Sequence, residues 1–141
     1  MEQNSSFDIL FIMKFYVTGR SSNIDEVRRT IALVKEKGHE VTFDWPALLM
    51  VKPYEDNQEK AAEFAQFGIQ GIIDSDIYIL LAHPDGTGVF TELGAALALA
   101  QLQGKLKIYA VAREIPPVMF HYHPSIHWVP SVEEVFELIG V

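Results

Sequence analysis

The sequence predicts an α/β domain built on a doubly wound, all-parallel sheet. Three observations point there. Short, nearly continuous apolar runs alternate with longer amphipathic stretches from one end of the chain to the other. The apolar runs lack the polar–apolar alternation of half-exposed strands, so both sheet faces are expected to be covered by helices. At 141 residues, the chain has room for one such domain, residues 1–141, with a full-sized core.

Ile9–Val17 reads as the first buried strand. Asn23 is placed to cap a helix over Ile24–Lys37, where Ile24, Val27, Ile31 and Val34 recur on one face. Gly38 ends that helix and Glu40–Phe43 forms a second strand, broken by Asp44-Trp45-Pro46. Residues 47–56 read as a loop, and Gln58–Ile73 as the next helix. Ile77–Ala82 is the third strand. A helix over Gly88–Gln103 follows, closed by Gly104 ahead of a fourth strand at Lys107–Ala112. Arg113–Ser125 carries three prolines and reads as an irregular loop. A short fifth strand, Ile126–Val129, leads to a final helix from Ser131 to Ile139, where Ser-Val-Glu-Glu fits a capping box.

Right-handed crossovers favour the strand order 2-1-3-4-5, the flavodoxin-like arrangement of a five-stranded sheet. Ligands of such sheets bind beyond the carboxyl ends of the strands, at the switch point between strands 1 and 3. The loops at that point are Thr18–Asn23 and His83–Glu92, with Trp45 at the end of strand 2.

Composition narrows the function. The net charge is −8, with nineteen acids against eleven bases, which opposes an extended nucleic-acid footprint. Arg28, Arg29, Lys35 and Lys37 recur at helical spacing and read as a solvated face. No apolar stretch approaches the ~18 residues of a membrane span, and the apolar start, interrupted by Asp8 and Lys14, is not a signal peptide. Cysteine is absent, which excludes disulfides and thiolate chemistry. A cytoplasmic protein acting on a small molecule is the expectation, with no membrane or nucleic-acid partner.

The strongest chemical signal is Glu92, the only charged residue between Asp85 and Lys105, inside Gly88-Val-Phe-Thr-Glu-Leu-Gly-Ala-Ala. A carboxylate in a buried segment costs several kcal/mol unless compensated. In the first turns of its helix the macrodipole and free N–H groups favour ionisation. An ionised, poorly solvated carboxylate suits nucleophilic attack on an anomeric carbon; the bland alternative is a glutamate satisfied by helix N–H groups. Asp85-Gly86-Thr87-Gly88 could cradle an anion or let a sugar approach closely, or be only a tight turn, since it completes neither a P-loop nor a dinucleotide fingerprint. Thr18, Gly19, Arg20, Ser21 and Ser22 place hydroxyls and a guanidinium at the end of strand 1, where Arg20 with Ser21 and Ser22 could hold a phosphate or carboxylate. Ser22 or Asn23 would cap the following helix. Trp45 could stack on a nucleobase or simply pack. His121, His123 and His127 match no zinc signature, so neither metal nor cofactor is expected.

Phe15-Tyr16-Val17-Thr18-Gly19, the Ser75-Asp76 that opens strand 3, and Gly86-x-Gly88 followed by Glu92-Leu93-Gly94-x-Ala96 together resemble the nucleoside 2-deoxyribosyltransferase-like family, which includes the 2′-deoxynucleoside 5′-monophosphate N-glycosidases. The resemblance covers most of the chain. It implies that Glu92 is a covalent nucleophile, that Tyr16 orients it or the sugar, and that the Gly86–Gly88 loop faces the sugar or its 5′ substituent. It also implies a homodimer or larger oligomer, with the loop at 113–125 as a candidate for closing a neighbour's site. One position departs. Members with this activity usually carry an aspartate on the helix before strand 3, and counting back from Ser75-Asp76 puts Gly68 there, while Asp85 is a substitute in imperfect register. Two functions are therefore carried forward. One is cleavage or transfer of the N-glycosidic bond of a nucleoside or its monophosphate; the other is a non-catalytic nucleotide-binding module.

Overall fold

The structure is a computed structural model that describes residues 11–48, 52–83 and 88–141. It contains strands β1 (Lys14–Gly19), β2 (Glu40–Val41), β3 (Ile77–Leu81), β4 (Lys107–Val111) and β5 (Ile126–Val129), with helices α1 (Ile24–Glu36), α2 (Gln58–Ile73), α3 (Gly88–Gln103) and α4 (Val132–Ile139). The five strands are all parallel, in the order β2-β1-β3-β4-β5. This is the doubly wound arrangement read from the sequence.

Alternate side chains along each strand feed opposite layers. Phe15, Val17, Ile77, Ile79 and Leu81 pack with Val27, Ile31 and Val34 of α1 and Val132, Val135 and Phe136 of α4. Tyr16, Tyr78, Leu80, Ile108 and Ala110 pack with Ile72 of α2 and Leu93, Ala96, Leu97 and Ala100 of α3. The second layer holds the site.

The first strand is shifted from the expected Ile9–Val17. Residues 9 and 10 lie outside the described residues, and Phe11 and Ile12 are exposed rather than paired. The start is fixed by Asp76. Its carboxylate accepts the Lys14 N–H at 2.9 Å, while its own N–H donates to the Lys14 carbonyl at 2.7 Å. An apolar run does not reveal where such an anchor falls. At the other end β1 continues to Gly19, which pairs with Leu81.

The second strand is shorter than the expected Glu40–Phe43. The Thr42 N–H still bonds the Phe15 carbonyl at 2.9 Å, but its hydroxyl turns to the Gly71 carbonyl at 2.8 Å and the chain leaves the sheet. The next open acceptor on β1, the Val17 carbonyl, takes the Trp45 indole N–H at 3.1 Å instead.

Helix ends follow the expected punctuation in part. Gly38 and Gly104 adopt positive φ (87° and 71°), which a side chain would resist, just past α1 and α3. Ser131 caps α4, accepting the Glu134 N–H at 3.2 Å. Asn23 does not cap α1 with its side chain, and no side-chain cap comes from Ser22 either. Ser21–Asn23 form a 3₁₀ turn in which the Asn23 N–H bonds the Arg20 carbonyl at 2.9 Å, so the chain tightens into the helix. Further 3₁₀ turns lie at Trp45–Ala47, at Tyr54–Asp56, and at Met119–Tyr122 in the 113–125 loop. None of the described helices is long and apolar enough to cross a membrane.

Candidate functional site

Glu92 is the fifth residue of α3, and its carboxylate points at β1. The Tyr16 hydroxyl donates to Oε2, and the Thr18 hydroxyl donates to Oε1 at 3.0 Å. Strand alternation makes this possible, because residues two apart on β1 present their side chains to the same layer. Among the described residues, the hydrogen bonds that compensate the buried charge come from two strand hydroxyls. Each carboxylate oxygen accepts one O–H and retains a second lone pair, so the group is oriented without being used up.

Burial lifts the Glu92 carboxyl above its ordinary pKa, and the Tyr16 and Thr18 hydrogen bonds pull it part of the way back. Tyr16 is pushed far above the ordinary tyrosine range, first by burial, then by the Glu92 charge and the hydrogen bond to it. It therefore acts only as a donor.

Helix α2 lies close against this pair. A Cβ placed on Gly71 would sit 3.1 Å from the Tyr16 ring and 3.1 Å from the Phe43 Cβ. One placed on Gly68 would sit 3.3 Å from the Tyr16 hydroxyl oxygen. Gly68 thus faces the site, at the position where the sequence resemblance calls for an aspartate.

The other candidates are distributed around this centre. Gly19 is packed tightly, with a Cβ there 3.0 Å from Val27 of α1 and 3.3 Å from Leu81 of β3. Arg20 follows Thr18 by two residues, about 7 Å along an extended chain. Its guanidinium lies 3.1 Å from Nδ1 of His83, just past the end of β3. The Ser21 hydroxyl accepts from Nζ of Lys52 at 3.3 Å. Gly88 is exposed at the start of α3. Asp85, Gly86 and Thr87 lie outside the described residues.

Trp45 is not brought to Glu92. It packs against the α1–α4 layer, on the other face of the sheet, and seals the β1 edge through Val17. A surface cavity of about 280 Å³ on that same side is lined by Arg28, Lys35, Asp44 and Pro46. The histidines of the C-terminal region make contacts away from Glu92. His121 is buried between Phe90 and Trp128, with Nδ1 3.1 Å from the Pro116 carbonyl; Nε2 of His123 lies 2.8 Å from Oε1 of Gln101; and His127 stacks on Tyr109. The loop at 113–125 is therefore docked on its own α3. Among the described residues no group of three or more His, Asp or Glu is placed to hold a metal ion.

Sequence reasoning passed over three residues near the centre. Tyr78 faces Tyr16 across the β1–β3 ladder, their rings 5.7 Å apart and 4° from parallel. The repeated apolar–Tyr–apolar pattern in strands already expected to be neighbours was the signal for it. His83 follows strand 3 closely, whereas Lys52 has no local signal, because it meets Ser21 from 31 positions away in the chain.

No protein-family profile matches the chain, and no curated protein matches it. Among solved structures, a CMP N-glycosidase of Clostridium botulinum, BcmB, superposes with a TM-score of 0.59 at 15% sequence identity, covering 91% of this chain and 99% of that one. At that identity the likeness is one of fold, a five-stranded parallel sheet with helices packed on both faces.

Proposed function

We propose that the Glu92 site cleaves or transfers the N-glycosidic bond of a nucleoside 5′-monophosphate or nucleoside. The observation that carries this reading is the carboxylate itself, half-buried at the switch point and held by the Tyr16 and Thr18 hydroxyls. The motif resemblance to the nucleoside 2-deoxyribosyltransferase-like family and the fold likeness to a CMP N-glycosidase support it. In the proposed reaction a Glu92 oxygen bonds to the anomeric carbon as the C–N bond breaks. The electron pair leaves with the base nitrogen, which takes a proton from solvent water; the later attack of water or a second base returns a proton to solvent. Water or a second base then opens the glycosyl ester and frees Glu92. The test is chromatographic detection of free base from a panel of nucleosides and monophosphates. Release that disappears in Glu92→Gln supports the reading, and no Glu92-dependent release across the panel ends it.

Gly68 favours a second reading, a nucleotide-binding module without turnover, because the α2 position nearest the Tyr16 hydroxyl carries no side chain. Ligand-induced thermal shifts without base release would select it.

The basic groups at the mouth bear on substrate class. Arg20 and His83 at the ends of β1 and β3, with Lys52 at Ser21, gather cationic and polar groups in a chain whose net charge is −8. This suits the 5′-phosphate of a nucleotide. Arg20→Ala is expected to raise KM for a monophosphate about 10-fold or more while sparing the nucleoside. Equal losses on both substrates would remove Arg20 from phosphate recognition.

The assembly is proposed to be a homodimer or larger, with Met119, Phe120 and Tyr122, all exposed on the 113–125 loop, at the subunit contact. Light scattering should give at least twice the chain mass, and Phe120→Glu should lower it to the monomer value.

A further inference from the structure

Tyr78 carries a hydroxyl that packing does not explain. The residue is completely buried, and its hydroxyl has no hydrogen-bond partner among the described residues. Phenylalanine would fill the same space beneath α3 without burying an unmet donor, so the ring has a structural reason and the oxygen has none. Its surroundings are specific. Tyr78 and Tyr16 are direct partners on β3 and β1, their rings are stacked, and the Tyr16 hydroxyl donates to Glu92. Two parallel rings leaving neighbouring parallel strands at one level carry both hydroxyls into the same layer.

We propose that Tyr78 is a positioning residue of the Glu92 site, its ring holding Tyr16 against the carboxylate and its unclaimed O–H dipole favouring the ionised form of Glu92. The inference rests on the reading of Glu92 as the working carboxylate. In a poorly solvated layer an oriented dipole acts on a charge more strongly than it does in water. Burial first, and then the Glu92 charge, push the Tyr78 phenol well above its ordinary range, so it stays a donor. Among the described residues, the titratable groups that interact with the carboxylate are Tyr16 from β1 and Tyr78 from β3. Thr18 supplies the other hydroxyl, α2 brings Gly68 and Gly71 against Tyr16 and Ile72 into the same layer, and Arg20 and His83 lie at the strand ends.

The experiment is a titration of the Glu92 side-chain carboxyl by carbon-13 NMR in the full chain, with the resonance assigned by its loss in Glu92→Gln. Tyr78→Phe is expected to melt at the wild-type temperature or above, while the Glu92 midpoint rises by about 0.5 pH unit or more. A second protein, Tyr78→3-fluorotyrosine, keeps the ring and makes the O–H a stronger donor, and its Glu92 midpoint should move down. An unmoved midpoint in both proteins overturns the proposal and leaves Tyr78 a packing residue. The titration needs no substrate. Absence of base release therefore counts against the proposed activity, and an unmoved midpoint counts against Tyr78 alone.

Discussion

Replacing Glu92 with glutamine is expected to reduce base release on the order of 10³-fold or more while raising the melting temperature at neutral pH. The two effects share one cause. Glutamine keeps the shape of the site: its amide oxygen can accept the Tyr16 hydroxyl, and its amide N–H can donate to the Thr18 oxygen. What disappears is the charge, and with it the nucleophile. Because burial raises the folded-state pKa of Glu92 above its unfolded value, ionising the carboxyl in the folded protein costs more than in the unfolded chain. That cost applies in full above the folded pKa. It fades as the pH falls through that value and is gone below the unfolded pKa of about 4.3. The stability gain of Glu92→Gln should therefore be greatest at neutral pH, about 1 kcal/mol, and vanish near pH 4. Thermal melts across that range check it. A variant that loses base release but gains no stability at neutral pH would contradict the burial cost.

The sequence made the site legible to the extent that it lies on regular elements in register. Continuous apolar strands and right-handed crossovers were enough to put strand 1 beside strand 3. That neighbourhood brings Tyr16 and Thr18 to Glu92, two strand residues of one parity meeting a residue one turn into α3. What depends on side chains crossing between distant segments was not legible. Asp76 decides where β1 begins by bonding Lys14, and Trp45 replaces a missing strand partner at Val17; both are contacts that no local pattern encodes. Trp45 also shows how a strand end is misread. Its place after β2 suggested the crevice, but β2 stops after Val41 and the indole turns to the opposite layer. Gly68 was legible only as a gap in a motif, and the packing of α2 gives the gap a meaning, because that position faces the Tyr16 hydroxyl.

Gly71→Ala is expected to destabilise the protein by about 1–3 kcal/mol and to cut any Glu92-dependent base release about 10-fold or more. On helix propensity alone the change should help, since alanine gains up to about 1 kcal/mol over glycine inside a helix. Space decides otherwise. The new methyl would lie 3.1 Å from the Tyr16 ring on one side and 3.1 Å from the Phe43 Cβ on the other. Neither is the free end of a flexible chain. The ring is buried and stacked on Tyr78, and the Cβ is fixed to the backbone that follows β2. Helix α2 must then lift or Tyr16 must tilt, and a tilt moves its hydroxyl away from Glu92. Gly68→Ala is the control. Its methyl would meet only the Tyr16 hydroxyl oxygen at 3.3 Å and Phe43 Cε2 at 3.9 Å, a contact that a few tenths of an ångström relieve, while the helix gains the same propensity. That variant should keep its stability to within about 0.5 kcal/mol. Denaturant midpoints of the two variants measured side by side separate crowding from propensity. Equal midpoints would mean that α2 is not held against Tyr16, and the close approach that presents its hydroxyl to Glu92 would lose its basis.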